Sequence, residues 1–133
     1  MSGSQPSSQP RSSPSIIIVD DESDIVRVFA KSLQGTGYDV NGFSDPEKAA
    51  DFFAANTDRI SLVITDLRMP NMSGIELASR IRVLGAKVKI ILMTAFETTG
   101  HKEDIERLDF SSVIRKPMTP ANFKIIVEKT LSM

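Results

Sequence analysis

From residue 15 onward the hydrophobic positions follow two alternating rhythms. Apolar runs of strand type, IIIVD from residue 16, SLVITD from 61 and VKIILMT from 88, are separated by stretches in which apolar residues return every three or four positions. YDVNGF from residue 38 and SSVIR from 111 read as two weaker strands. The helical stretches run from about Glu22 to Gln34, Pro46 to Asn56, Ser73 to Leu84, Lys102 to Leu108 and Pro120 to Leu131. Helix starts carry physical markers: Ser44 with Glu47, and Ser73 with Glu76, have capping-box spacing, and Thr119 sets a capping hydroxyl before Pro120. Three strands that are apolar almost throughout must be buried on both sides, which predicts an α/β fold with a doubly wound parallel sheet and helices on both faces.

Composition narrows the picture to one domain. Residues 1–15, MSGSQPSSQPRSSPS, cannot bury enough apolar surface to offset the entropy of ordering, so they are predicted to be a disordered tail ahead of a single domain at 16–133. The 133-residue chain carries 16 basic and 17 acidic residues, a balance that argues against direct nucleic-acid binding. No apolar run approaches the roughly 20 residues that span a bilayer, so membrane insertion is not expected. With no cysteine there is neither a disulfide framework nor a thiolate nucleophile, and a cytoplasmic location is the expectation.

In an open parallel sheet, ligands bind beyond the carboxyl ends of the strands. Those positions are Asp20 and Asp21 after the first strand, Asp66 at the end of the third, Thr94 at the end of the fourth and Lys116 after the fifth. Taken singly each has an ordinary structural reading: acids favour a helix start, a strand-end Asp caps a turn, and a Lys is solvated. Converging on one edge they do not. Three carboxylates repel unless a cation lies among them, and hard oxygen ligands suit Mg²⁺ or Mn²⁺, while Thr94 and Lys116 suit the oxygens of a phosphoryl group.

These residues stand in IIIVDD, in VITDLRMPNMSG with Asp66, Met69, Pro70 and Gly74, in ILMTA with Thr94 and Ala95, and in RKP with Lys116 and Pro117. In these motifs the chain from Ile16 to Met133 closely resembles the response-regulator receiver domains of two-component signalling, including the stand-alone chemotaxis-regulator type. The resemblance implies a flavodoxin-like strand order 2-1-3-4-5. It makes Asp66 the phosphoacceptor, assigns Mg²⁺ to Asp20, Asp21, Asp66 and the backbone carbonyl of Arg68, and sets Thr94 and Lys116 against the phosphoryl group. A cis peptide between Lys116 and Pro117 is also implied. The implied partners are a sensor histidine kinase or phosphotransfer protein as donor and a downstream protein target, addressed through the fourth helix, fifth strand and fifth helix. The implied role is a phosphorelay switch that assists only its own phosphorylation and dephosphorylation, with Arg68 and Phe96 tuning the lifetime of the phosphoryl group.

The chain departs from the family at two points. Val113 stands where an aromatic switch residue is usual, and Asp109 with Phe110 replaces a small Gly-Ala pair. A valine has few rotamers, so output is expected to rest on the backbone and Thr94, with Phe110 as a candidate substitute and His101 as a surface residue. Three rivals remain on sequence grounds. An aspartate-nucleophile phosphohydrolase would place Asp-x-Asp at the first strand and need a cap, and a flavin module would need a Ser/Thr/Gly-rich phosphate loop there. A receiver-like scaffold acting only by partner binding would not need the acids, Thr94 and Lys116.

Overall fold

A computed structural model describes residues 13–85, 87–95 and 97–133, so most of the tail and the tuning residue Phe96 lie outside the described residues. Five strands form one parallel sheet in the order β2-β1-β3-β4-β5. In chain order they are β1 (Ser15–Val19), β2 (Asp39–Phe43), β3 (Ile60–Asp66), β4 (Lys89–Thr94) and β5 (Ser112–Arg115). The helices are α1 (Ser23–Ser32), α2 (Pro46–Ala55), α3 (Gly74–Leu84), α4 (Lys102–Leu108, entered through a 3₁₀ turn at Thr99–His101) and α5 (Pro120–Leu131). This is the doubly wound fold expected from the alternating periods.

The pleat sends neighbouring side chains of each central strand to opposite faces. Ile17, Val19, Val63, Ile90 and Leu92 join Ala49, Phe53, Leu77, Ile81 and Leu108 in a cluster under α2, α3 and α4. Ile16, Ile18, Leu62, Ile64, Ile91 and Met93 join Phe29, Leu33, Phe123 and Val127 under α1 and α5. On that second face the rings of Phe29 and Phe123 stack with centroids 4.3 Å apart and planes within 8°. Such a pair contributes about 1 kcal/mol beyond the area it buries, so α1 and α5 are firmly joined.

Two of the expected caps form as the spacing implies. Ser73 and Glu76 make a complete capping box, and the Thr119 hydroxyl accepts from the Asn122 amide at 3.1 Å. The third does not. Asp45, not Ser44, caps α2, its carboxylate accepting from the Glu47 amide at 2.9 Å. Pro46 fixes the first helical position, and the residue before it is the natural cap, so the Ser44–Glu47 spacing was one residue out of register.

Candidate functional site

Asp20, Asp66 and Thr94 reach the carboxyl edge of the sheet because the strands that carry them there are anchored on both sides by apolar packing, while Lys116 follows the edge strand β5, held by Ile114 on one side. Asp20 follows β1 directly and is fully buried; its backbone N–H donates to Phe43 O on β2 at 3.1 Å. Its Oδ1 accepts from the Glu22 amide at 3.0 Å, which turns the chain into α1 and leaves Asp21 exposed beside it. Asp66 ends β3 and is 8% exposed, with Oδ1 accepting from the Leu67 amide at 3.0 Å. Thr94 is buried at the end of β4, opposite Arg115 of β5 in the sheet register, and its carbonyl accepts from the Lys116 amide at 2.8 Å.

Lys116 brings these ends together. Its Nζ lies 2.7 Å from Asp20 Oδ2 and 3.4 Å from Asp66 Oδ1, and its side chain is only 14% exposed. The Lys116-Pro117 peptide that follows is cis, as the motif implied. Burial, and next the charge of Asp20, hold the Asp66 carboxyl above the usual carboxylate range against the opposing pull of Lys116. Burial alone would lower the Lys116 ammonium, but the hydrogen bond and charge of Asp20, joined by Asp66, outweigh it and hold it above its ordinary value. A single ammonium is therefore shared between two buried acids.

Carboxylate oxygens of Asp20, Asp21 and Asp66 all lie within 4.8 Å of one another. Three negative charges so close, with Lys116 in contact with only two of them, keep an excess of negative charge that a hard divalent cation neutralises, and an all-oxygen donor set fits Mg²⁺ or Mn²⁺. Arg68 stands two residues beyond Asp66 in the same loop with its side chain exposed.

That loop is shaped by Gly74. A Cβ there would meet Asp66 O at 2.2 Å and the Leu67 Cα at 3.1 Å, so only glycine lets α3 start against the end of β3. Asn71 supplies the turn with φ 73°, and the Gly74 amide donates to Leu67 O at 2.8 Å. Sequence reading had Gly74 only as part of a motif; the serine cap immediately before it was the one local sign that a helix begins so close to the site.

The remaining candidates fall elsewhere. Val113 lies on the edge strand β5 and is 42% exposed, since the pleat turns it away from Ile114 and the cluster under α1 and α5. Phe110 packs against the cluster under α2, α3 and α4. His101 ends the 3₁₀ turn before α4 and is not part of the cluster that Asp20, Asp21 and Asp66 form. Sequence reasoning missed Arg82 altogether, because an arginine late in a helix looks like any solvated charge.

Comparison with known proteins decides the family. The family model described as the response regulator receiver domain matches residues 16–128. The chain belongs to this family. Receiver domains that resemble it include the response regulator receiver protein CpdR of Brucella abortus, 30% identical over 116 residues that make up 87% of this chain and 95% of that protein. The phosphoglycerate transport system transcriptional regulatory protein PgtA of Salmonella typhimurium is 28% identical over 117 residues, but this chain spans only 28% of its length. Among solved structures, a response regulator receiver protein from Pseudomonas putida superposes with a TM-score of 0.78 at 28% identity, covering 89% of this chain and 98% of that one. A CheY-like receiver domain protein from Methanospirillum hungatei gives 0.82 at 23% identity over 91% and 95% of the two chains, a likeness of fold. As a receiver domain the chain is a signalling switch. Among the described residues no helix is long and apolar enough to cross a membrane.

Proposed function

We propose that this receiver domain accepts a phosphoryl group on Asp66 from a phosphohistidine of a sensor kinase or relay protein and reports it to a downstream protein. The observation that carries the reading is the Lys116 ammonium held between buried Asp20 and Asp66. An Oδ of Asp66 attacks phosphorus in line, an O–P bond forms, and the P–N bond breaks with its electron pair leaving on the donor imidazole. The Leu67 N–H on Oδ1 fixes the plane of the carboxylate for that attack. Lys116, already in a site poor in water, donates to the phosphoryl oxygens as they gain charge, and the Thr94 hydroxyl adds a second donor from β4.

Asp20, Asp21, Asp66 and the carbonyl of Arg68 would hold a Mg²⁺ or Mn²⁺ ion. When bound, it supplies positive charge against the carboxylates and the transferred group. A largely apolar recess bordered by Lys116 and lined by Ile25, Val28, Pro117 and Met118 would offer the donor protein a contact surface at the edge of the site. The product is a mixed acyl phosphate with about two negative charges where Asp66 carried one, enough to draw Thr94 and the segment after it toward the new oxygens. Water attack on the acyl phosphate resets the site.

Mass spectrometry after incubation with acetyl phosphate and Mg²⁺ tests the proposal. Wild type is expected to gain a labile phosphoryl adduct that Asp66→Asn lacks. No adduct on wild type, or one that survives the substitution, overturns it.

A further inference from the structure

Arg82 sits in the last turn of α3, and its guanidinium donates to three backbone carbonyls outside that helix. Its Nε donates to Leu108 O at 2.7 Å and one terminal nitrogen to Asp109 O at 3.0 Å, while the other donates to Val88 O just before β4. Leu108 and Asp109 are the last residue and the cap of α4. Helices of this kind commonly close with a left-handed glycine that satisfies the orphan carbonyls. Here Asp109 takes the left-handed conformation at φ 56°, and a cation from another helix satisfies the carbonyls, where the helix dipole also favours positive charge.

The two ends of α4 are therefore held very differently. At its end, Leu108 is the only buried residue of the helix, and Arg82 ties its carbonyl to α3 and β4. At its start, His101 provides no side-chain cap, and the 3₁₀ turn before it has no buried residue. We propose that Arg82 is a hinge pin, which anchors the C-terminal end of α4 so that movement in the segment after Thr94 tilts the helix about that end instead of displacing it whole. A helix of seven residues is about 10 Å long. A shift of about 2 Å at its free end, typical of switching helices, then turns it by roughly 11° while the pinned end stays in place. The pin explains how a chain with Val113 on its edge strand reports a change at Thr94: the moving part is a lever, and no side chain needs to rotate. Coupling of the lever to phosphorylation rests on the function proposed above; the pin itself does not.

Hydrogen exchange by mass spectrometry on the whole chain tests it, with wild type and Arg82→Lys, which keeps the charge but cannot bridge three carbonyls. Without ligand, Arg82→Lys is expected to speed exchange at residues 106–110 at least fivefold and leave β1 and β3 unchanged. With Mg²⁺ and beryllofluoride, a phosphoryl mimic, wild type is expected to change at 97–104 and not at 106–110, and Arg82→Lys at both. Unchanged exchange at 106–110 in unliganded Arg82→Lys, or an equal response of both segments in liganded wild type, overturns the pin. A general rise in exchange that includes β1 and β3 also overturns it, since Arg82 would then serve overall stability. If beryllofluoride alters nothing around Asp66, the phosphoryl reading fails, and the unliganded comparison still decides the pin.

Discussion

At the ends of β1 and β3 each acid that meets Lys116 is buried and held by at least two partners, whereas along α4 and β5 only Leu108 and Ile114 are buried and the other side chains are partly or largely exposed. Asp20 has the Glu22 amide and Lys116; Asp66 has the Leu67 amide and Lys116. Val113, by contrast, is 42% exposed, and the Arg115–Glu97 ion pair that links β5 to the segment after β4 has both side chains about two-thirds exposed. An exposed pair of this kind contributes about 0–1 kcal/mol. The difference fits the two tasks proposed for the domain. Capturing a phosphoryl group needs fixed donors in a low-dielectric setting, while reporting it needs a part that moves for little energy.

The comparison can be broken most forcefully at Lys116. Lys116→Met leaves Asp20 buried and unpaired, which is expected to cost about 3 kcal/mol in urea unfolding without metal. It should also slow phosphorylation by acetyl phosphate about 100-fold, the usual effect of losing one charged donor. Gly74→Ala comes next. Its methyl meets backbone that cannot give way, and a loss of about 2–3 kcal/mol is expected, with phosphorylation reduced because the end of β3 is displaced.

Asp66→Asn works in the opposite direction. The Asp66 carboxyl sits above its ordinary value chiefly because of burial, so between that value and its raised one the folded state binds the proton more tightly than the unfolded state. Stability from this group therefore falls as pH rises through that window. In EDTA at neutral pH, Asp66→Asn is expected to melt a few degrees above wild type, and the gap should close below the ordinary carboxylate range. Mg²⁺ should raise the melting temperature of wild type more than that of the variant. A gap independent of pH would place the cause elsewhere.

The reporting side should respond more weakly. Asp109→Gly relieves a left-handed side chain and is expected to raise stability by about 1 kcal/mol in urea unfolding, with the Arg82 contact to the backbone retained. Val113→Ala removes two exposed methyl groups, and a change within about 0.5 kcal/mol is expected, with the yield of phosphorylated protein unaltered. A larger effect there would move the reporter from α4 to β5.

The same contrast governs what could be read in the sequence. The strands IIIVD, SLVITD and VKIILMT announce themselves because burial on both faces leaves a continuous apolar run, and the residue after each run falls on the ligand edge by topology alone. Asp20, Asp66 and Thr94 were legible for that reason, and Lys116, which follows the weaker strand SSVIR, through its place in the alternation of strands and helices. Contacts that depend on where one helix end meets another were not. Arg82 meets the end of α4, 26 residues away, through backbone carbonyls that every residue possesses, so no side-chain pattern marks it. The cap of α2 was misplaced for another reason: Ser44 and Asp45 are both good caps, and the capping-box spacing of Ser44 with Glu47 competed with the stronger signal of Pro46, which makes Asp45 the cap.

The stacked rings of Phe29 and Phe123 have a consequence for dissection. They clasp the helix that leaves the first acidic loop to the helix that follows the last, so the chain is closed upon itself across one face of the sheet. A cut between β3 and β4 would strip Lys116 from Asp66 and bare the inner surfaces of α1 and α5 in the same stroke. Neither fragment would retain a finished interior, so transplanting this site into another protein means carrying the whole sheet with it.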